Sequence, residues 1–279
     1  MLLHLTVALL LAAPTSRPLD QFVLNFESQT DKALQSRLEK IDSDLRAKFE
    51  MTPEQSAVGL LDLRTQRLAL INPDRIEYAA SVAKIGILLA YFQDHPDPKL
   101  LDASTRRELG QMIKASSNEM ASKYSQQLGL AHIQDVIDSY ELYDPFKGGG
   151  LWVGKHYGKS PERRTDPVGG HSHAATVRQL LRFYLMLEQG KLVSPAASET
   201  MKQIFASPEI SHDNIKFVKA LSGRDVTLLR KWGTWQDWRH DSAMITGPDR
   251  HYILVALTHH PKGDAYLEAL ATAVDDLLK

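Results

Sequence analysis

The chain of 279 residues contains no cysteine. A thiol nucleophile, a disulfide framework and a cysteine-bound zinc site are therefore excluded. The charges nearly cancel, because 33 lysine and arginine residues face 34 aspartate and glutamate residues, for a formal net charge of -1. Such a balance offers no basic footprint for nucleic acid, so we expect no nucleic-acid partner. Hydroxyl, carboxylate, imidazole and amine groups remain available for chemistry.

Long hydrophobic runs are also scarce. The most apolar stretch is the first thirteen residues, MLLHLTVALLLAA, which is too short to span a bilayer. Its length matches the apolar core of a secretory signal, and Pro14 and Pro18 end any helix that begins there. We predict a signal peptide over residues 1–16, a secreted or periplasmic protein, and no stable membrane span after signal removal. A buried amino-terminal helix or an uncleaved anchor is the alternative.

The hydrophobic periodicity changes along the chain between helical and strand spacing. Apolar residues recur at helical spacing over residues 28–49 and 263–279. The runs VGLLDL (58–63) and LALI (68–71) flank the polar segment RTQR and predict a hairpin. Three further strands are predicted near the end of the chain, over residues 228–233, 242–246 and 251–258. Helices are predicted between the two groups of strands, over residues 82–92, 105–114, 118–128, 133–139 and 174–189.

This order of elements predicts an α+β fold. Two early strands and three late strands would form one five-stranded antiparallel sheet, flanked by the terminal helices, with an inserted all-helical subdomain. We assign a single domain to residues 17–279, with the sheet part at about 20–80 and 206–279 and the helical insertion at about 81–205. Residues 143–173 contain seven glycines and three prolines and show no clear period. Since long loops in compact domains are commonly functional, we expect this segment to form a wall of the site.

The first of three candidate motifs is Ser81-Val82-Ala83-Lys84, at the start of a predicted helix. Residues three apart on a helix share a face, so the Lys84 amine would lie beside the Ser81 hydroxyl. A serine needs an adjacent base to become a nucleophile, and a lysine among apolar neighbours can serve in its neutral form. The alternative is a serine helix cap followed by an exposed lysine.

The second motif, Ser116-Ser117-Asn118, lies between two predicted helices. In a functional interpretation Ser116 relays a proton to a leaving group, and the Asn118 amide holds a substrate carbonyl and the lysine amine. The alternative is that these residues only cap the neighbouring helices, since serine and asparagine are favoured there.

The third motif, Lys231-Trp232-Gly233-Thr234, ends a predicted strand. Lys231 would supply a positive charge to an anionic substrate group, and Gly233 would allow close approach to the strand edge. The Thr234 amide would complete an oxyanion hole with the amide of Ser81.

In this order the three motifs resemble S-x-x-K, S-D-N and K-T-G of the superfamily of class A β-lactamases and penicillin-binding proteins (DD-peptidases). The resemblance extends over nearly the whole mature chain. It implies that Ser81 is the acylated nucleophile, with Lys84 or a bound water as the base and Ser116 as proton shuttle. Asn118 and Lys231 would bind substrate.

The resemblance implies a serine hydrolase that forms an acyl-serine intermediate on a β-lactam or a D-alanyl peptide amide, without metal or cofactor. Its partner would be a small-molecule or peptidoglycan-peptide substrate. The alternatives are a related amidase or esterase, a weak penicillin-binding protein with slow deacylation, and a non-catalytic binding module on the same fold.

The sequence departs from the family pattern at three places. Ser117 replaces the aspartate of S-D-N, and Trp232 replaces the threonine that the family directs at the substrate carboxylate. Where the family carries a deacylating glutamate in an E-x-x-L-N setting, this chain has GLWVGK (150–155). Glu162 lies closer to the following helix, and we interpret it as a solvated charge. Acyl-enzyme would therefore persist.

The histidine pairs and the clustered tryptophans are weaker indications of function. The paired histidines at 171 and 173 and at 259 and 260 lack acidic neighbours in a metal-ligand spacing, so we expect no metal site. Trp232, Trp235 and Trp238 either line a cleft for a carbohydrate or aromatic group or cover the end of a strand.

Overall fold

The computed structural model describes residues 18–279, so the predicted signal peptide lies outside the described residues. The described chain forms the α-helices α1 (Lys32–Phe49), α2 (Lys84–Asp94), α3 (Ala103–Ile113), α4 (Asn118–Leu128), α5 (Leu130–Ser139), α6 (Val177–Glu188), α7 (Pro195–Ala206), α8 (Lys216–Ala220) and α9 (Gly263–Leu277). Its strands are β1 (Ser56–Asp62), β2 (Arg67–Ile71), β3 (Glu77–Tyr78), β4 (Tyr143–Asp144), β5 (Gly149–Gly150), β6 (Trp152–Val153), β7 (His173–Ala175), β8 (Thr227–Trp235), β9 (Trp238–Gly247) and β10 (Arg250–His259). None of the helices from residue 18 onward has the length and apolar character needed to cross a bilayer.

The main sheet has five antiparallel strands in the order β2-β1-β10-β9-β8. The predicted α+β fold, with two early and three late strands in one sheet, is confirmed. The strand β1 lies beside β10, with Leu60 opposite Leu254, so the two ends of the chain meet in the middle of the sheet. The strand β8 forms one edge, and this leaves one side of it free of strand pairing.

Helices cover both faces of the sheet. Leu38 of α1 and Leu267 of α9 are fully buried in one apolar layer, and α6 packs across the other face against β1 and β10. Every residue of β1 is buried, which explains why its sequence is almost continuously apolar rather than alternating. Gly59 permits the close approach of α6, because a Cβ atom there would lie 2.5 Å from the Val177 Cγ1 atom.

The helical region is built around α2, in which residues 84–92 are all buried. A helix that is apolar on every side belongs in the centre of a packed region, and α3, α4 and α5 surround it. Lys84 is the charged side chain among these buried residues.

The helix predicted over residues 174–189 begins later, at Val177. The preceding residues form β7, which pairs with β3 and β6 in a small three-stranded sheet. Thr176 then caps the helix, because its side chain accepts a hydrogen bond from the Gln179 amide at 3.4 Å. The predicted helix was therefore too long at its start, because the apolar residues of β7 continue the apolar pattern of α6.

A buried ion pair fastens the edge of the main sheet. Arg230 and Asp241 lie on the paired strands β8 and β9, both side chains are fully buried, and the Arg230 Nη2 atom lies 2.7 Å from the Asp241 Oδ2 atom. The guanidinium also donates to the carbonyls of Asp213 (3.2 Å) and Ile215 (3.1 Å), just before α8. Because its charges are paired and hydrogen-bonded, removing one partner leaves the other buried and uncompensated.

We expect Asp241→Ala to lower the free energy of unfolding by about 3–5 kcal/mol, because it leaves Arg230 buried without its counter-charge. The control is Asp44→Ala, which removes an ion pair with Lys40 whose two side chains are 64% and 76% exposed. That change should lower stability by less than about 1 kcal/mol. Urea denaturation measures both, and equal losses would contradict the role given to the buried pair.

Candidate active site

The Ser81 side chain lies at the floor of a cleft of about 340 Å³. It belongs to a 3₁₀ turn, Ala80–Ala83, that leads directly into α2. The residue before it, Ala80, has a φ of 47°, a left-handed conformation that non-glycine residues rarely adopt. Such strain next to a candidate nucleophile marks a backbone held in place by its surroundings.

The Lys84 amine connects the first two motifs. Its Nζ atom donates to the Ser116 carbonyl at 2.5 Å and to the Asn118 Oδ1 atom at 2.8 Å, and it lies 3.4 Å from the Ser116 Oγ atom. The side chain is fully buried, so the alternative of an exposed lysine behind a serine cap is wrong.

Burial lowers the pKa of Lys84 to about 7. No carboxylate within residues 18–279 forms an ion pair with its amine, so no counter-charge there raises the pKa again. A neutral amine has two N–H donors and one lone pair. The carbonyl of Ser116 and the amide oxygen of Asn118 take up those two donors, which leaves the lone pair free to accept a proton.

One residue of the Ser116-Ser117-Asn118 motif caps a helix, and the other two contact the lysine of the first motif. Ser117 caps α4, because its Oγ atom accepts a hydrogen bond from the Met120 amide at 3.2 Å. Ser116 has a φ of 58°, and its Oγ atom lies between the amines of Lys84 and Lys231. The capping alternative therefore holds for the middle residue, while the outer two contact Lys84.

Lys231 completes the cluster from the edge strand β8. Its Nζ atom donates to the Ser116 Oγ atom at 2.9 Å and to the carbonyl of Trp232 at 2.9 Å, and the side chain is fully buried. Burial, and after it the charge of Lys84, holds the pKa of Lys231 well below its usual value. An anionic group placed beside it would favour its charged form.

Gly233 brings the edge strand against the turn that carries Ser81. A Cβ atom at Gly233 would lie 2.7 Å from the Ala79 carbonyl oxygen and 3.0 Å from the Ser81 nitrogen. Trp235 and Trp238 close a two-residue turn, so the alternation of the antiparallel ladder directs the Thr234 amide to the free edge. The Thr234 and Ser81 amides therefore lie on neighbouring segments that both line the cleft.

Lys216 is a residue of this region that the sequence analysis missed. Its buried amine donates to the Thr234 Oγ1 atom at 2.8 Å and to the Gly233 and His240 carbonyls at 2.9 and 3.1 Å. It also lies 5.1 Å from the centre of the Trp232 ring. Burial lowers its pKa to about 8. No motif surrounds Lys216, and only its position among apolar residues in NIKFV distinguishes it from a surface lysine.

The segment predicted to form a wall does line the cleft, through residues 155–159 and 172–173. Glu162 is not among the lining residues. It is 55% exposed, and its carboxylate accepts a hydrogen bond from the His156 imidazole at 3.2 Å. Trp235, which is 57% exposed, lines the opposite side. The described residues contain no group of three or more histidine, aspartate or glutamate side chains arranged to hold a metal ion.

Comparison with known proteins identifies the family of this chain. The chain belongs to the Beta-lactamase enzyme family, whose model matches residues 107–278. The matched part contains Ser116, Asn118 and Lys231 but begins after Ser81 and Lys84. No curated protein matches the sequence.

Solved structures show the same fold. A β-lactamase from Sphaerobacter thermophilus is 16% identical with a TM-score of 0.68, and the match covers 86% of this chain and 95% of that chain. A class A β-lactamase from Mycobacterium abscessus is 18% identical with a TM-score of 0.67, covering 86% and 98%. PBP-A is 16% identical with a TM-score of 0.63, covering 85% and 95%. The predicted β-lactamase and penicillin-binding-protein superfamily is confirmed.

We expect Gly233→Val to lower the free energy of unfolding by about 1–3 kcal/mol, because the added side chain must displace the backbone of residues 79–82. Thr227→Val, at the exposed start of the same strand, is the control and should change the free energy of unfolding by less than about 0.5 kcal/mol. Urea denaturation measures both variants. Equal stability of the two would contradict the close packing of the edge strand against the turn that carries Ser81.

Proposed function

We propose that the protein is a serine hydrolase of the β-lactamase type that forms an acyl-Ser81 intermediate on a β-lactam or a D-alanyl peptide amide. The observation that carries this proposal is the position of the Lys84 amine, which is buried one helical turn from Ser81 and hydrogen-bonded to Ser116 and Asn118. A lysine with a pKa near 7 is suited to take a proton from a hydroxyl at neutral pH.

In the proposed acylation step, the Ser81 Oγ atom attacks the amide carbon while its proton passes to the Lys84 Nζ atom, directly or through a bound water. The negative charge on the former carbonyl oxygen is stabilised by the amides of Ser81 and Thr234. The carbon–nitrogen bond then breaks, and Ser116 gives its hydroxyl proton to the departing nitrogen and regains one from the Lys84 ammonium. The products of this step are an ester on Ser81 and a neutral amine.

Recognition in the proposed complex divides between two sides of the cleft. Asn118 would donate its amide to a substrate carbonyl while its oxygen stays on Lys84. Lys231 would attract the substrate's anionic group. Trp232 lacks the hydroxyl that the resemblance assigns to that position. The buried amine of Lys216 lies behind Thr234, where it is paired with Asp264 at 3.6 Å.

We further propose that hydrolysis of the acyl-enzyme is slow. Activation of water needs a base on the far side of the ester, and residues 150–155 supply no carboxylate there. Glu162 is held by His156 and does not line the cleft. This behaviour resembles that of a penicillin-binding protein rather than of an efficient β-lactamase. Export to the periplasm or the exterior remains part of the proposal and rests on the apolar first thirteen residues.

A related amidase or esterase is the second candidate function. It is favoured by Trp232 and Trp235, which replace a hydroxyl and add an exposed indole ring at the edge of the cleft. Both features change the pocket without touching the Ser81 and Lys84 pair. A non-catalytic module on the same fold would leave no reason for two desolvated lysines around Ser116.

We expect incubation with a fluorescent penicillin to add one penicillin mass to the intact protein, at Ser81, and the adduct to persist. Ser81→Ala should show no adduct, whereas Ser104→Ala, at an exposed residue of α3, should label like the parent. Intact-mass spectrometry with peptide mapping measures this. Rapid turnover of a chromogenic cephalosporin would contradict slow deacylation. A parent protein that neither forms an adduct nor cleaves simple esters would contradict the proposed function.

We expect the rate of acylation to rise with pH through about 7 and then level off, because the pKa of Lys84 is lowered to about 7 and its neutral form accepts the proton. Lys84→Ala should slow acylation by at least about hundredfold and remove this rise. Lys123→Ala, at a half-exposed lysine of α4, is the control. Stopped-flow labelling between pH 5 and 9 measures the profile, and a rate independent of pH would contradict Lys84 as the base.

A further inference from the structure

Tyr157 lies at the back of the cleft, in the segment without sequence periodicity. It contacts the residue before Ser81 and the lysine that ends the Ser81-Val82-Ala83-Lys84 motif. Its hydroxyl donates to the Ala80 carbonyl at 3.0 Å, and the centre of its ring lies 4.6 Å from the Lys84 Nζ atom. The side chain is 9% exposed. Neither contact is explained by the roles given above.

The hydroxyl of Tyr157 fixes a peptide plane. The Ala80 carbonyl and the Ser81 N–H belong to the same trans peptide, so they point in opposite directions. A hydrogen bond that holds the carbonyl toward Tyr157 therefore holds the N–H toward the other side, where Gly233 and the edge strand lie. Ala80 is in the left-handed region, so this orientation needs support from its surroundings.

The ring of Tyr157 lies in contact with the Lys84 amine, in addition to its hydrogen bonds to Ser116 and Asn118. It is held there by the imidazole of His173, whose centre lies 4.4 Å away and whose Nε2 atom donates to the Lys155 carbonyl at 2.9 Å. Burial lowers the pKa of His173 to about 4, so this neighbour is neutral across the working range.

We propose that Tyr157 is a positioning residue for acylation: its hydroxyl orients the Ser81 amide into the oxyanion hole, and its ring excludes water from Lys84. This inference rests on the proposed acylation of Ser81. Tyr157 does not itself act as a base, because its hydroxyl is committed to the Ala80 carbonyl and burial raises its pKa well above the usual value.

The ring of Tyr157 has two opposite effects on the pKa of the Lys84 amine. The attraction between an aromatic ring and a neighbouring ammonium is weaker than the cost of removing water from a buried charge. The second effect is larger, so a smaller side chain should raise the pKa of Lys84. The other titratable groups that act on this amine are Lys231, which lies across Ser116 on the edge strand, and His173, which lies behind the Tyr157 ring. The substitution leaves both residues in place, and His173 stays neutral because burial lowers its pKa to about 4.

The test uses two substitutions that separate the hydroxyl from the ring. Tyr157→Phe removes the hydrogen bond to Ala80 and should slow acylation by about tenfold with an unchanged pH midpoint, less than the 10²–10³-fold loss on removing an oxyanion donor. Tyr157→Leu should also move the midpoint upward by about one pH unit or more. Tyr252→Phe is the control. It removes the hydroxyl of a buried tyrosine that bonds Asp275 beneath α9, and should leave rate and midpoint unchanged.

An unchanged rate in Tyr157→Phe, or an unchanged midpoint in a folded Tyr157→Leu, would overturn the corresponding half of the inference. If Tyr157→Leu does not fold, Tyr157→Ile and Tyr157→Met supply the same test. A parent protein that no penicillin labels refutes the proposed function instead. The ring contact is then read from the titration of Lys84 by NMR with ¹³C-labelled lysine, in which an equal midpoint in parent and variant overturns it.

Discussion

The burial of the Lys84 amine is the constraint on which the site depends. A lone ammonium in a protein interior costs several kcal/mol, and this one has no carboxylate partner from residue 18 onward. The structure offsets the cost with neutral acceptors on Ser116 and Asn118 and with a pKa low enough for the amine to lose its proton near pH 7. The Ser116 residue that supplies one acceptor has a left-handed backbone, with a φ of 58°.

The sheet contributes to the same cluster only because β8 is an edge strand. A central strand would have its amides engaged on both sides, whereas β8 keeps one row free and can press Gly233 against the turn that carries Ser81. The buried pair of Arg230 and Asp241 holds that edge in register next to Lys231. The position on an edge strand therefore distinguishes Lys231-Trp232-Gly233 from Lys147-Gly148-Gly149, which has the same Lys-x-Gly pattern in the glycine-rich segment.

The sequence predicted most of the fold, because helical and strand periods are local properties that the leucines of α1 and the apolar run of β1 display directly. It also brought out Ser81 and Lys84, whose relation is one helical turn. It did not indicate Tyr157, whose partner Ala80 is 77 positions away, or Lys216, whose partners lie 17 to 24 positions further on. Contacts of that kind depend on how separate elements pack, which no short pattern records.

No carboxylate of the described chain lies beside Lys84, and a carboxylate there would affect the proposed acylation and the hydrolysis of the acyl-enzyme in opposite ways. A carboxylate there would attract the ammonium and raise the pKa of Lys84, so it would favour the form that cannot accept the Ser81 proton. The same carboxylate would activate water against the ester. An aromatic ring in contact with the amine removes both effects at once, because it keeps the amine desolvated and offers no base to water. In the proposed cycle, a Lys84 amine able to accept the Ser81 proton and a slowly hydrolysed acyl-enzyme would therefore both follow from an aromatic ring in place of a carboxylate next to Lys84.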